Sequence, residues 1–136
     1  RVLVDAPCSG TGTIRRNPDL KWRLKEAELA EITALQSRIL ASAAQMVKPG
    51  GRLVYATCSL LTQENEAVAD AFAAAHPDFE ALPVAPLLQN VLPNQGETGD
   101  ELAAKAEKLC AGNCLRLWPH LHQTDGFFAA VWQRRA

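Results

Sequence analysis

Two cysteines stand where a thiol could do chemistry: Cys8 in VLVDAPCSG (2–10) and Cys58 in RLVYATCSL (52–60). Each follows an apolar, β-forming run, and each is followed by serine. The first run stops at Asp5-Ala6-Pro7. Proline cannot donate to a sheet ladder, so the strand is over by Pro7, and Cys8 falls on a loop beside the Asp5 carboxylate. A thiolate is a strong nucleophile once its pKa is lowered or a neighbour assists it. Cysteine is also among the most frequently buried residue types, and packing alone accounts for many of them. Two cysteines in equivalent positions, both near turns, shift the weight toward function. A redox dithiol would use C-x-x-C at a helix start, which is absent here.

The elements that position these thiols follow from apolar spacing. After the strand at 2–4 comes a Gly-, Pro- and Asn-rich loop, DAPCSGTGTIRRNPDLKWR. Leu29, Ile32, Leu35, Ile39, Ala43, Met46 and Val47 recur at three- and four-residue steps, predicting a helix over 26–47 that Pro49-Gly50-Gly51 ends. RLVYATCSL (52–60) reads as a second buried strand. TQENEAVADAFAAAH (62–76) reads as a second helix, with Thr62, Asn65 and Glu66 near its start and His76-Pro77 at its end. Strand, helix, strand, helix with buried apolar strands implies a parallel sheet with helical crossovers. In such sheets ligands bind outside the carboxyl ends of the strands, which is where Cys8, Cys58 and Asp5 converge if the two strands are neighbours. The stretch 83–114 reads as irregular, with a short helix at 100–110. LRLW (115–118) and GFFAAVWQR (126–134) read as an antiparallel pair at one sheet edge.

Bulk composition narrows the classes. At 136 residues and 48% hydrophobic content the chain suits one domain with a real core. No apolar run reaches membrane-spanning length, and the four cysteines without a secretory pattern read as reduced cytoplasmic thiols. The net charge of −1 argues for no polyanion globally, but the first 25 residues hold six cations (Arg1, Arg15, Arg16, Lys21, Arg23, Lys25) against two acids (Asp5, Asp19). A basic end of this kind can steer a polyanion to one face, although on charge alone a solvated charged loop is the better account. Cys110-x3-Cys114 with His120 and His122 is a loose zinc spacing, and solvated histidines near a loop account for it better.

DAPCSGTGTIRRNPDLKWR together with KPGGRLVYATCSLLTQENE resembles the RNA 5-methylcytosine methyltransferases, specifically the RsmB/Sun type related to the NOL1/NOP2/Sun proteins. The likeness is strong over residues 1–80 and returns at LWPHLHQTDGFFAAVWQR. Each motif is weak alone; the pair in this order, with TDGFF after it, is highly specific. The resemblance implies the C-terminal portion of a Rossmann-like, S-adenosylmethionine-dependent catalytic domain spanning 1–136. It implies that Cys58 is the nucleophile forming a C6 adduct with cytosine, that Cys8 assists product release, and that Asp5 lines the cofactor and target-base pocket. The substrate implied is 16S ribosomal RNA, with Arg15, Arg16, Lys21 and Arg23 facing its backbone. The reading from another class is a non-catalytic RNA-binding domain on the same fold. The family's glycine-rich loop and ribose-binding acid belong to strands upstream of residue 1, and Gly10-Thr11-Gly12 does not replace them. The expectation is therefore a fragment that is inactive alone, binds cofactor poorly and can self-associate through an exposed sheet edge.

Overall fold

A computed structural model describes all 136 residues. Strand β1 (Val2–Asp5) pairs in parallel with β2 (Arg52–Thr57), in a register that sets Val4 opposite Tyr55 and Asp5 opposite Ala56. Between them the chain runs through one turn of 3-10 helix at Thr11–Thr13, a short α1 (Leu20–Arg23) and the long α2 (Glu26–Gln45). After β2 come α3 (Glu66–Ala75), β3 (Phe79–Leu82), α4 (Val84–Gln89) and α5 (Gly99–Glu107). The chain ends with β4 (Cys110–Ala111), β5 (Cys114–Leu117), α6 (Pro119–His122) and β6 (Phe127–Arg134). The sheet order is β1-β2-β6-β5-β4, with β3 also pairing β6.

The parallel β1–β2 pair with its helical crossover and the antiparallel β5–β6 pair are as the spacing predicts. Two boundaries differ. The second strand ends at Thr57, and the third helix starts at Glu66, because residues 58–65 form a loop whose backbone is claimed by side chains. β6 is also not at the edge: it lies inside the sheet, antiparallel to β2 over six residue pairs, and the edge role falls to the two-residue β4. In the stretch 83–114 the short helix expected at 100–110 is α5, and the part expected to be irregular also carries α4 and β4. Thr98 and Glu101 start α5 with a reciprocal capping box, each side chain accepting from the other's backbone N–H.

Alternation decides which face is covered. Val4, Leu53, Tyr55, Phe128, Ala130 and Trp132 point to one face and are buried with Leu40, Ala43 and Ala44 of α2, Val47 just past its end, and Val68, Ala69 and Phe72 of α3. Phe72 anchors this layer, its ring 4.8 Å from Trp132 and 5.4 Å from Phe79 between centroids. The buried stripe of α2 is rotated from the apolar spacing: Gln36 is fully buried, while Leu35 and Met46 are exposed. On the opposite face Leu3, Val54, Val131 and Leu82 form one row in register, exposed or half-buried. β1, with β2 as its only partner, leaves a free edge.

Candidate active site

Cys8 lies three residues past Asp5 of β1, and Cys58 lies one residue past Thr57, the last of β2. Because the strands are parallel neighbours in fixed register, both loops leave the same carboxyl edge. The Sγ atoms are 3.3 Å apart, and both thiols are free and half-buried. Burial, then the hydrogen bond to the neighbouring thiol, pushes the Cys8 thiol up to about 12. Cys8 therefore holds its proton at neutral pH, within hydrogen-bonding reach of the Cys58 sulfur.

The two loops are stitched by polar side chains that the apolar reading passed over. Glu64 is fully buried. Its Oε1 accepts from the Ser9 backbone N–H at 2.7 Å and from Gln36 Nε2 at 3.1 Å. Its Oε2 accepts from Ser9 Oγ at 2.6 Å and from Ser59 Oγ. Gln36 Nε2 also donates to the Pro7 carbonyl at 2.9 Å. Asn65, likewise fully buried, accepts from Thr57 Oγ1 and donates to the Ser59 carbonyl at 2.8 Å. Tyr55 Oη donates to the Glu64 carbonyl at 2.6 Å. Arg116, 4% exposed, donates to the Leu60 carbonyl at 2.9 Å, lies 3.4 Å from Glu66 and rests 4.5 Å over the Trp118 ring.

A second knot joins three chain segments without side chains. The Gly12 N–H donates to the Cys58 carbonyl at 2.9 Å, and the Gly126 N–H donates to the Gly12 carbonyl at 2.8 Å. A Cβ at Gly12 would fall onto the Gly126 and Cys58 carbonyl oxygens. The TDGFF segment thus meets the loops after β1 and β2 at a point where only glycine lets the backbones approach.

The remaining predicted residues are dispersed. Asp5 is exposed on the wall of an open groove of about 460 Å³ along the β1 edge, with Leu3, Pro7, Arg38 and Met46 among its lining. Arg16 reaches Asp125 at 2.5 Å, and Arg15 approaches the same carboxylate at 4.0 Å. Arg15 also lines a cavity of about 550 Å³ with Thr11, Gly12, Leu60 and His120. Arg23 pairs with Asp19 at 2.5 Å one helical turn away, and Lys21 lies 5.0 Å over the exposed Trp22 ring. The zinc spacing does not close: no group of three or more metal-ligating residues assembles. His122 accepts from the Trp118 N–H at 2.9 Å through Nδ1 and contacts the Lys108 carbonyl at 2.8 Å through Nε2, which occupies both ring nitrogens.

The thiol pair and its stitching coincide with a family match. The family described as 16S rRNA methyltransferase RsmB/F matches residues 1–133. The chain belongs to this family. Among RsmB/F relatives, the ribosomal RNA small subunit methyltransferase B of Klebsiella pneumoniae (strain 342) is 48% identical over 102 residues, covering 71% of this chain and 24% of that protein. The probable ribosomal RNA small subunit methyltransferase B of Bacillus subtilis (strain 168) is 39% identical, covering 99% of this chain and 27% of that protein. A putative methyltransferase of Mycobacterium tuberculosis (strain ATCC 25618 / H37Rv) is 42% identical over 98% of this chain and 26% of its own length. The chain thus spans about a quarter of the RsmB/F-type relatives it matches. The crystal structure of PH0851 superposes with a TM-score of 0.75 at 40% identity, over 97% of this chain and 26% of that one. NSun6 from Pyrococcus horikoshii with SFG superposes with a TM-score of 0.68 at 24% identity, over 98% of this chain and 29% of that one, a likeness of fold. The fold is that of the Rossmann-like methyltransferases.

Proposed function

We propose that the protein containing this chain is an S-adenosylmethionine-dependent RNA cytosine-C5 methyltransferase acting on 16S ribosomal RNA through a covalent cysteine adduct. The observation that carries this reading is the pair of free thiols 3.3 Å apart at the carboxyl edge of two parallel strands. The family membership and the names of the relatives supply the RNA. The presence of SFG, an S-adenosylmethionine analogue, in a structural neighbour supports the cofactor class.

Cytosine C5 is a poor nucleophile because the ring is aromatic. Addition of the Cys58 sulfur to C6 breaks the C5–C6 double bond and leaves C5 enamine-like, converting one hard step into easier ones. S-adenosylmethionine, when bound, supplies the electrophilic methyl group. Asp5 fits a place beside it: the β1 groove has apolar walls and, with Arg38 also in its lining, one exposed carboxylate that could accept from the cofactor's amino group. A base takes the C5 proton, and its electron pair restores the C5–C6 double bond and expels the Cys58 sulfur. Cys8, still protonated and already hydrogen-bonded to that sulfur, supplies a proton to it as the C6–S bond breaks. The target cytosine has to be unpaired or flipped to reach a site in this position. Arg15 and Arg16 lie beyond the Cys8 loop as phosphate contacts, with Lys21 and Arg23 further along.

The test is methyl transfer to 16S RNA by the full-length protein. Cys58→Ala should abolish it with RNA binding retained, and Cys8→Ala should accumulate a covalent protein–RNA adduct. Retained activity in Cys58→Ala refutes the reading, as does RNA binding with no methyl transfer by the unmodified protein, the behaviour of a binding domain. Residues 1–136 alone should bind S-adenosylmethionine weakly and methylate nothing, which calorimetry checks directly. The free β1 edge and the apolar row Leu3–Val54–Val131 should make this piece associate with itself, read by sedimentation velocity.

A further inference from the structure

We propose that Glu64 is a positioning residue: one buried carboxylate holds the loop after β1 and the loop after β2 together and thereby sets the spacing of the two thiols. The catalytic consequence rests on the reading of Cys58 and Cys8 above; the spacing itself does not.

The connectivity is short. Ser9 is the residue after Cys8, and Ser59 is the residue after Cys58; both give a hydroxyl to the same oxygen of Glu64. The residues before the thiols are tethered as well. Pro7 is held by Gln36, which also bonds Glu64, and Thr57 is held by Asn65, the next residue along from Glu64. Each thiol thus sits one peptide unit from an anchor on either side. The Gly12 N–H to Cys58 carbonyl bond and the Leu60 N–H to Thr11 Oγ1 bond at 2.8 Å also cross between the loops, but Glu64 is the side chain that binds the residue following each thiol.

The residue type is informative. Four donors converge on Glu64, namely one backbone N–H, two hydroxyls and one amide, and none is cationic. A carboxylate accepts all four with its two oxygens; a glutamine could keep the two hydroxyl contacts by donating its amide to Ser9 and Ser59 Oγ, so only an apolar residue removes the tie. Burying a carboxylate among neutral partners is costly, and an apolar residue would fill the volume more cheaply. What the apolar residue could not do is fix two loops from different strands with defined geometry.

The test uses residues 1–136 carrying Cys110→Ala and Cys114→Ala, so that Cys8 and Cys58 are the remaining thiols. Phenylarsine oxide bridges two thiols held at close range: two As–S bonds form, and the arsenic-bound oxygen leaves as water with both thiol protons. Bridging is read as protection of both cysteines from iodoacetamide and as the mass of the adduct. Glu64→Leu, similar in volume and without an acceptor, should slow bridging by about tenfold or more while circular dichroism and the melting transition remain those of a folded chain. Wild-type bridging in a folded Glu64→Leu chain overturns the proposal. Where Glu64→Leu does not fold, Ser9→Ala and Ser59→Ala decide, each removing one donor; slower bridging in both supports it, and unchanged bridging in either overturns it. In the full-length enzyme Glu64→Leu should lower kcat with KM for RNA and cofactor unchanged, and a change confined to KM overturns the catalytic consequence. Lost bridging beside a wild-type protein that transfers no methyl group leaves the positioning intact and removes the methyltransferase reading.

Discussion

Substitution of Gly12 by alanine tests whether the meeting of three backbone segments is as tight as the structure shows. An ideal Cβ at Gly12 lies 2.6 Å from the Cys58 carbonyl oxygen and 2.8 Å from the Gly126 carbonyl carbon, with the Gly126 oxygen nearer still. Favourable C···O contacts begin at about 3.3 Å, so the segments must part by roughly 0.7 Å or more. Both obstacles are backbone and cannot rotate away. Parting them weakens the Gly12-to-Cys58 and Gly126-to-Gly12 hydrogen bonds, each worth about 1 kcal/mol net, in a buried place where unmade bonds cost more. Overpacking adds about 1–3 kcal/mol. The expected loss is about 3–5 kcal/mol, which for a domain of this size lowers Tm by roughly 10–15 °C. Urea and thermal unfolding followed by circular dichroism measure it. Gly99→Ala is the control: Gly99 opens α5, a Cβ there meets nothing, and the change should stabilise slightly, by about 0.5 kcal/mol. A loss below about 1 kcal/mol for Gly12→Ala would refute the close approach.

Two further outcomes follow from charge. Burial pushes the Cys8 thiol up to about 12 and the Cys114 thiol up to about 11, against an ordinary 9.0, and Tyr55 moves upward for the same reason. Between these values the unfolded chain has released protons that the folded chain retains, so stability should fall as pH rises from about 9 toward 12. Urea midpoints across that range should show the decline, and Cys8→Ala with Cys114→Ala should flatten it; an unchanged slope in that variant refutes the assignment. Arg15→Ala and Arg16→Ala should weaken RNA binding and reduce its salt dependence by about 0.7 in log–log slope per lost phosphate contact on an unpaired strand. Asp125→Asn, which releases both guanidiniums, should raise affinity, and filter binding at several salt concentrations that shows neither effect rules out phosphate contact at these positions.

Period and punctuation made the parallel core legible. Alternation in β1 and β2 buries Val4, Leu53 and Tyr55 on one face, and Pro7 and Pro49-Gly50-Gly51 mark where elements stop. The interior place of β6 was not legible, because a terminal strand carries no mark of which neighbour it will slot beside. FFAAVW is apolar at nearly every position, as suits a strand paired on both sides, and that continuity is the signal that outweighed its position in the chain. The length of the loop after β2 was also obscured. Apolar residues run on to Leu61, yet the strand ends at Thr57 since the Ser59 backbone N–H is taken by Thr57 Oγ1 and its carbonyl by Asn65 instead of by a ladder.

The thiols were visible in the sequence because their chemistry is carried by residue type, whereas the device that holds them is carried by relation. Gln36 gives the clue: it falls within the apolar stripe of α2, four residues after Ile32 and four before Leu40, and a polar residue there must find buried partners. QENE supplies them, since a run of polar residues between a buried strand and a helix that packs on the same sheet has no solvent to face at its middle. Neither clue names the other's position, as 28 residues separate Gln36 from Glu64. Pairing them needs β1 and β2 laid side by side, and the same pairing sets Cys8 against Cys58 across 50 residues. One register therefore accounts for both the reactive pair and its restraint. A shift of β1 by one residue would exchange its faces, expose Val4, and separate Ser9 from Glu64 as surely as it separated the thiols.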